Sequence, residues 1–536
     1  MYYDSKILIG DSDGERIFIE PKMANRHGLI AGATGTGKTI SLKVLAESFS
    51  DAGVPVFLAD VKGDLSGTCV PGTDSEDMKK RIEKFRLAEC GFNYHAYPVT
   101  FWDIYGDMGI PVRTTVSEMG PLLLSKLLDL NDTQAAILTI VFRIADSEKL
   151  LLIDTKDLKS MLNYVSDHNT DYAQEYGNIA KASIGAILRG VVALETKGGD
   201  RLFGEPGLNI TDWFATDASG RGMINILDCR VLMQDTTLYA TFLLWMMSEL
   251  FEVLPEVGDT DKPRMVFFFD EAHLLFKDIS KAFLEKIEQV VKLIRSKGVG
   301  IYFITQNPQD IPDEILGQLG NKIQHALRAY TPSDQKAVKA AAASFRENPA
   351  FDTAQTLMAL GTGEALVSVL DEKGIPGIVK NTKILPPQSL MGPIADAQKQ
   401  QLFMSNNLYL KYKDAQDPDS AYEALARLSE KEALQAEEDK KNALAQREKA
   451  REEAAQEKRE AKEAEMAAKA EQKEKEKSEK ALKSGVGRIA STAGGTVGRE
   501  VGNAIGKSIG GRFGKTLGGN VGAALGRNIL GTLFKK

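Results

Sequence analysis

The octapeptide "GATGTGKT", residues 32–39, narrows the choice of fold more than any other stretch of this chain. It satisfies G-x-x-x-x-G-K-[ST] in full, and it follows a strand-like run, "HGLIAG" (27–32), and opens a helix-like segment. That context is the strand–loop–helix of a phosphate-binding loop. Glycines let backbone N–H groups wrap an anion, and the positive end of the helix adds to the site. Nucleotide contacts are therefore expected along Gly32, Ala33, Thr34, Gly35, Thr36, Gly37, Lys38, Thr39 and Ile40. Lys38 is expected to reach the β- and γ-phosphates of ATP, and Thr39 to offer its hydroxyl to Mg2+. Two look-alikes, "GKS" (506–508) and "GKT" (514–516), carry Val501 and Ile509 where the first glycine belongs. Neither is a phosphate loop.

Around this loop the chain alternates short apolar runs with helical segments, the pattern of a doubly wound, mostly parallel α/β sheet. A hairpin is expected in "KILIGDSDGERIFIE" and strands in "VPVFLAD" (54–60), "GMINILD" (222–228) and "MVFFFD" (265–270). Further strands are expected in "VGIYFIT" (299–305), "KIQHALRAY" (322–330) and "GEALVSVL" (363–370). The expected organisation is a first core segment (1–112), a helical insertion (113–215), the rest of the core (216–390), a linker with a charged helical spacer (391–483) and a basic tail (484–536).

Asp270 ends the most apolar run, where a carboxylate suits a water-mediated Mg2+ contact, and Glu271 is placed to polarise the attacking water. "GMINILD" is expected to be the extra strand between the two motifs, a mark of P-loop enzymes that supply their own glutamate. Gln306 caps the next strand, in reach of the γ-phosphate or that water. A trans-acting arginine is sought in Arg295 of "KLIRSKGVG", with Arg328 of "QHALRAY" as the weaker choice; surface or capping roles stay open for both. Asp60 and Lys62 of "FLADVKGDLSG" either line the site or form a solvated turn. His27 and His273 lack metal-ligand spacing and read as packing or hydrogen-bonding residues.

Residues 270–273 spell Asp-Glu-Ala-His, as in DEAH-box helicases, yet no Ser-Ala-Thr motif or second RecA-like domain follows. The spelling is coincidental. With one motor domain, a complete site calls for an oligomer.

Charge is uneven. The formal total is −7, but residues 484–536 hold eight Lys/Arg against one Glu, a surplus of +7 that leaves −14 on the rest. Such a tail suits nucleic acid or a lipid surface, and charge alone is equally compatible with no partner. An apolar residue followed by glycine recurs every four positions from Val497-Gly498 to Leu525-Gly526. This resembles glycine-zipper segments that pack on a membrane or a partner helix, with a flexible arm on DNA phosphates as the alternative. Before it, Ala421 to Lys483 is rich in Ala, Glu, Lys, Arg and Gln, which predicts a solvated charged helix or weak coiled coil. Three distant cysteines, no signal peptide and no run of 18 apolar residues point to a cytoplasmic protein, with peripheral inner-membrane attachment through the tail as the variant.

"HGLIAGATGTGKT", "FLADVKGDLSG", "FFFDEAHLLF" and "IRSKGVGIYFITQNPQDIPDEILGQLGNKIQHALRAY" together resemble the HerA–FtsK superfamily of ring-forming motor ATPases. The bacterial HerA-helicase-like branch is also similar to "EYGNIAKASIGAILRGVVALETKGGDRLFGEP" and "SAYEALARLSEKEA". The resemblance spans roughly residues 1–430 and implies a RecA-like P-loop core, a homo-oligomer expected to be a hexamer, and DNA in a central channel. It assigns Walker A, Walker B and sensor positions to Lys38, Thr39, Asp270, Glu271 and Gln306. A β-barrel ahead of the loop, as in HerA proper, is not expected within 31 residues. A nuclease partner of the HerA type thus stays an open expectation. Two further readings keep the ATPase residues: a nucleotide-switched scaffold docked to a membrane, and a secretion-type pump.

Overall fold

The computed structural model describes residues 1–276 and 281–483. The glycine-repeat tail, with both of its readings, lies outside the described residues. The chain divides into two units, Met1–Ala433 and Leu434–Lys536.

The first unit is built on strands β1 (Tyr2–Tyr3), β2 (Lys6–Ser12), β3 (Glu15–Ile19), β4 (Gly28–Ala31), β5 (Val56–Asp60), β6 (Val99–Asp103) and β7 (Ile110–Pro111). It continues with β8 (Ile224–Asp228), β9 (Met265–Phe269), β10 (Val299–Thr305), β11 (Asn321–His325), β12 (Glu364–Ser368) and β13 (Lys380–Ile384). All join one 13-stranded sheet ordered β1-β2-β13-β12-β11-β4-β10-β9-β5-β8-β6-β7, with β3 on β2. From β11 to β7 every neighbour is parallel. The other strands extend that block antiparallel. The parallel block, with helices on both faces, is the RecA-like P-loop ATPase fold.

Local chemistry explains the elements. The side chains of β9, "MVFFF", are fully buried, as a central strand covered on both faces requires. The β2–β3 hairpin turns on Asp13 and Gly14 at φ 50° and 92°, the left-handed pair that makes Asp-Gly a hairpin signal. Between β7 and β8 the chain is helical. Three of those helices open on reciprocal caps, Thr115 with Glu118, Asn131 with Gln134 and Asp154 with Asp157, each satisfying two end N–H groups. The helix Ala421–Lys483 is exposed at every residue from 426 to 477, as its charged composition demands. Among the described residues no single helix is long and apolar enough to cross a membrane.

Two sequence expectations are corrected, and two strands are added. The strand separating β4 from β9 is β10, not "GMINILD", which forms β8 on the far side of β5. Order in the chain does not give order in a sheet with long crossovers. "KIQHALRAY" is a strand only to His325. Beyond it the Ala326 carbonyl turns to accept from Ala33 N at 2.9 Å, and the Tyr330 and Thr331 N–H groups serve the Asp334 carboxylate at a helix start. Strands β6 and β13 were not anticipated; β6 holds Trp102, fully buried, its indole N–H 3.0 Å from Asn225 Oδ1.

Candidate active site

Strand register assembles the site. Parallel pairing sets Thr305 beside Ala31 and Phe303 beside Phe269. Gln306, one residue past β10, therefore emerges between the loop after β4 and the acidic pair after β9. All three segments leave the carboxyl end of the sheet, where ligands bind in such folds.

The loop fits a nucleotide phosphate. Helix Lys38–Asp51 starts at Gly37 (φ 114°) with no side-chain cap, so its first N–H groups face outward for an anion. Gly32 (φ 150°) has no room for a side chain, since a Cβ would come within 2.5 Å of His325 Cβ. Lys38 Nζ donates to the carbonyls of Gly32 at 2.6 Å and Ala33 at 3.0 Å. Burial, then the nearby Lys62 ammonium, lowers its pKa. Thr39 occupies the next position of the first turn, ahead of Ile40, and Thr36 closes the loop from its hydroxyl to Ala33 O at 2.7 Å.

On the facing side, burial pushes the Asp270 carboxyl up to about 6, with the adjacent Glu271 carboxylate adding to it. Asp270 Oδ1 accepts from Glu271 N at 2.9 Å. Glu271 has φ 48°, a left-handed backbone that costs a non-glycine residue energy and is found at functional turns. Two contacts hold the turn: Ala272 N donates to Ile304 O at 2.8 Å, and the buried Tyr239 hydroxyl donates to Asp270 O at 2.6 Å. Gln306 Nε2 stands 3.4 Å from both Glu271 oxygens, and Gln306 Oε1 lies 3.4 Å from Thr34 Oγ1. His273 Nδ1 is 3.4 Å from Glu271 Oε2.

The structure thus brings Gly32 to Ile40, Asp270, Glu271 and Gln306 together. It does not bring the arginines to them. Arg295 precedes β10 and so lies at the amino end of the sheet, the opposite edge from the loop. Arg328 donates to the carbonyls of Met358 at 2.6 Å and Leu360 at 3.2 Å, a capping arrangement. Asp60 is buried and caps its own turn, accepting from Gly63 N at 2.8 Å and Leu65 N at 3.2 Å. Lys62 is exposed, and its charge reaches Lys38 and Asp270. His27 is a buried hydrogen-bonding residue, linking Val291 O at 2.8 Å to Ile301 N at 3.0 Å. Sequence reasoning missed Tyr239 and His325. Tyr239 stands in no motif, His325 lies in the resembling stretch "NKIQHALRAY" with no role attached to it, and only the fold shows what they touch.

Residues 5–517 match the Helicase HerA-like C-terminal family. Among curated relatives, the DNA double-strand break repair helicase HerA of Sulfolobus acidocaldarius is 22% identical over 386 residues, 70% of this chain and 68% of that protein. The HerA of Sulfurisphaera tokodaii is 36% identical over 115 residues, 21% of this chain and 22% of that one. Among solved structures, VirB4 of Thermoanaerobacter pseudethanolicus aligns with a TM-score of 0.46 at 16% identity, covering 70% of this chain and 96% of that one. With a family match over nearly its whole length and a P-loop site assembled at the carboxyl end of its sheet, the chain belongs to the HerA-like helicase family of P-loop ATPases.

Proposed function

We propose that this chain is an ATP-hydrolysing motor that works as a ring, expected to be hexameric, and translocates or unwinds DNA. The observation that carries the hydrolysis reading is the meeting of Lys38, Glu271 and Gln306 at the end of β4, β9 and β10. Lys38 would release the loop carbonyls to bind the β- and γ-phosphates. Glu271 would take the proton of the attacking water, held in place by Gln306 and by its own constrained backbone. Thr39 and Asp270 would hold Mg2+, which supplies positive charge against the phosphates.

The ring reading rests on Arg295, which lies at the opposite edge of the sheet from its own loop. A neighbouring copy is where such an arginine could serve as a trans-acting cation. DNA as substrate rests on the family and on relatives named as DNA repair helicases. The expected segments, with 113–215 inserted into the core and 391–483 as linker and spacer, are part of the same proposal. So are a cytoplasmic location and a nuclease partner of the HerA type. The basic glycine-repeat sequence motivates a second reading, a nucleotide-switched assembly docked to a membrane or partner helix through residues 485–536.

Steady-state ATP hydrolysis by the full-length protein and its Glu271→Gln variant, alone and with duplex or single-stranded DNA, tests both. Turnover that rises with DNA and vanishes in the variant supports the DNA motor. Glu271-dependent turnover indifferent to DNA would move the conclusion to the docked switch.

A further inference from the structure

His325 ends β11 and is fully buried, directly beneath the phosphate loop. The register pairs Gln324 with Ala31, so His325 stands beside Gly32. A Cβ on Gly32 would meet the His325 Cβ at 2.5 Å, and one on Gly37 would meet its Cε1 at 3.4 Å. His325 therefore lies against both ends of the loop, its Cβ and backbone beside Gly32 and its imidazole beside Gly37.

Its two nitrogens have fixed roles. Nδ1 is 2.9 Å from the Glu364 carbonyl, which only accepts, so Nδ1 carries the hydrogen. Nε2 is 2.8 Å from Ser41 Oγ and, in the neutral ring, accepts from that hydroxyl. Neutrality follows from the surroundings: burial first holds its pKa down to about 4, and the Lys38 ammonium acts in the same direction. Ser41 is itself buried and sits one turn along the helix that Lys38 and Thr39 begin. Glu364 opens β12, and the neighbouring Gly363 N donates to Thr36 O of the loop at 3.0 Å.

We infer that His325 is a positioning residue of the nucleotide site: its neutral, Nδ1-protonated ring ties the first turn of the loop helix, through Ser41, to strand β12. It touches no phosphate. It acts by holding the turn that presents Lys38 and Thr39, so that little reorganisation is needed when the nucleotide binds. The inference rests on the ATP-site reading above and adds a residue to it. Residue 32 must be glycine for a separate reason, since the Cβ and backbone of residue 325 take the space a side chain would need.

The test measures affinity for a fluorescent ATP analogue, ATP turnover and melting temperature on full-length wild type and on Lys38→Ala, Ser41→Ala, His325→Phe, His325→Asn and His325→Gln. Gln places an acceptor near the Nε2 position and can keep the Ser41 link, whereas Asn reaches only the Nδ1 position. The expected result is an affinity loss of about tenfold in Ser41→Ala, Phe and Asn. Gln is expected to stay within about threefold of wild type, and Ser41→Ala to melt within a few degrees of it. In 15N spectra of histidine-labelled protein, the signal lost in His325→Gln should be that of an Nδ1–H neutral ring. Wild-type affinity in Ser41→Ala and His325→Phe, alongside a Lys38→Ala variant that fails to bind, would overturn the inference and leave the ATP site standing. An affinity loss that follows melting temperature across the series, with no advantage of Gln over Asn, would overturn it as well. A wild type that binds nucleotide no better than Lys38→Ala would overturn the site reading and this inference together.

Discussion

Gln306 Nε2 is equidistant from the two carboxylate oxygens of Glu271, at 3.4 Å from each, while its carbonyl oxygen faces Thr34 of the phosphate loop at the same distance. One side chain thereby spans the two halves of the site. Removing the span and removing the base should separate kinetically. Glu271→Gln is expected to retain nucleotide affinity and lose about 10²-fold or more in kcat, the usual range for a general base. Gln306→Ala should lower kcat by about tenfold or more with affinity near wild type. Turnover and equilibrium binding of an ATP analogue check both, and a Glu271→Gln variant with normal turnover would remove Glu271 from the chemistry.

Tyr239 supplies the support behind Glu271. Its buried hydroxyl is a donor to the Asp270 carbonyl, and the residue that follows has a left-handed backbone. Tyr239→Phe deletes only that bond. Stability should fall by about 1 kcal/mol, the net value of such a bond, while kcat falls by several-fold because the turn is freer to relax. Chemical denaturation and steady-state kinetics on the same samples separate the two effects.

Asp60 predicts a pH dependence of stability. Burial, then Asp64, pushes its carboxyl up to about 7 from an ordinary 3.8. The folded chain therefore holds a proton that the unfolded chain has released between those values. With more protons bound in the native state, stability falls as pH rises; the contribution is complete below about 3.8 and gone above about 7. Asp60→Asn cannot ionise, so its melting temperature should vary less between pH 5 and about 7 than that of wild type. Parallel pH–melting curves for the two proteins would refute the assignment.

Lys399 and Asp228 form an ion pair at 2.6 Å with side chains 4% and 5% exposed. Burial alone would raise the Asp228 pKa. The hydrogen bond from Arg230 and then the Lys399 charge hold it below the usual range. Lys399→Ala leaves part of that charge uncompensated and should cost about 3 kcal/mol, near the low end for broken buried pairs because Arg230 remains. Denaturant unfolding measures it, and a loss under about 1 kcal/mol would mean that Arg230 suffices.

Much of this site could be read before any coordinates. "GATGTGKT" and "FFFDEAH" carry their chemistry in residue type and spacing, because backbone turns and phosphate geometry admit few alternatives. The β2–β3 hairpin was legible for the same reason: Asp-Gly is among the few pairs that tolerate two left-handed residues. Strand β6 was not, because "VTFWD" does not alternate and does not stand out from its apolar flanks, Ala96-Tyr97-Pro98 and Ile104-Tyr105. The end of β11 was not either, since the competing hydrogen bonds of Ala326, Arg328 and Tyr330 come from segments distant in the chain or on the following helix.

By itself, then, the amino-acid order determined that a strand would end in a phosphate loop, that an acid pair would follow a buried strand, and that 421–483 would be a charged helix. These are local outcomes, set by glycine conformational freedom, apolar burial and helix propensity over short spans. Tertiary structure alone decided that β10 would lie between β4 and β9, setting Gln306 against Glu271. It also brought Tyr239 under the acidic turn and His325 under the loop, and it left Arg295 at the amino end of the sheet. Each of those follows from the order of parallel strands, which long crossovers fix through packing that no local stretch of sequence contains.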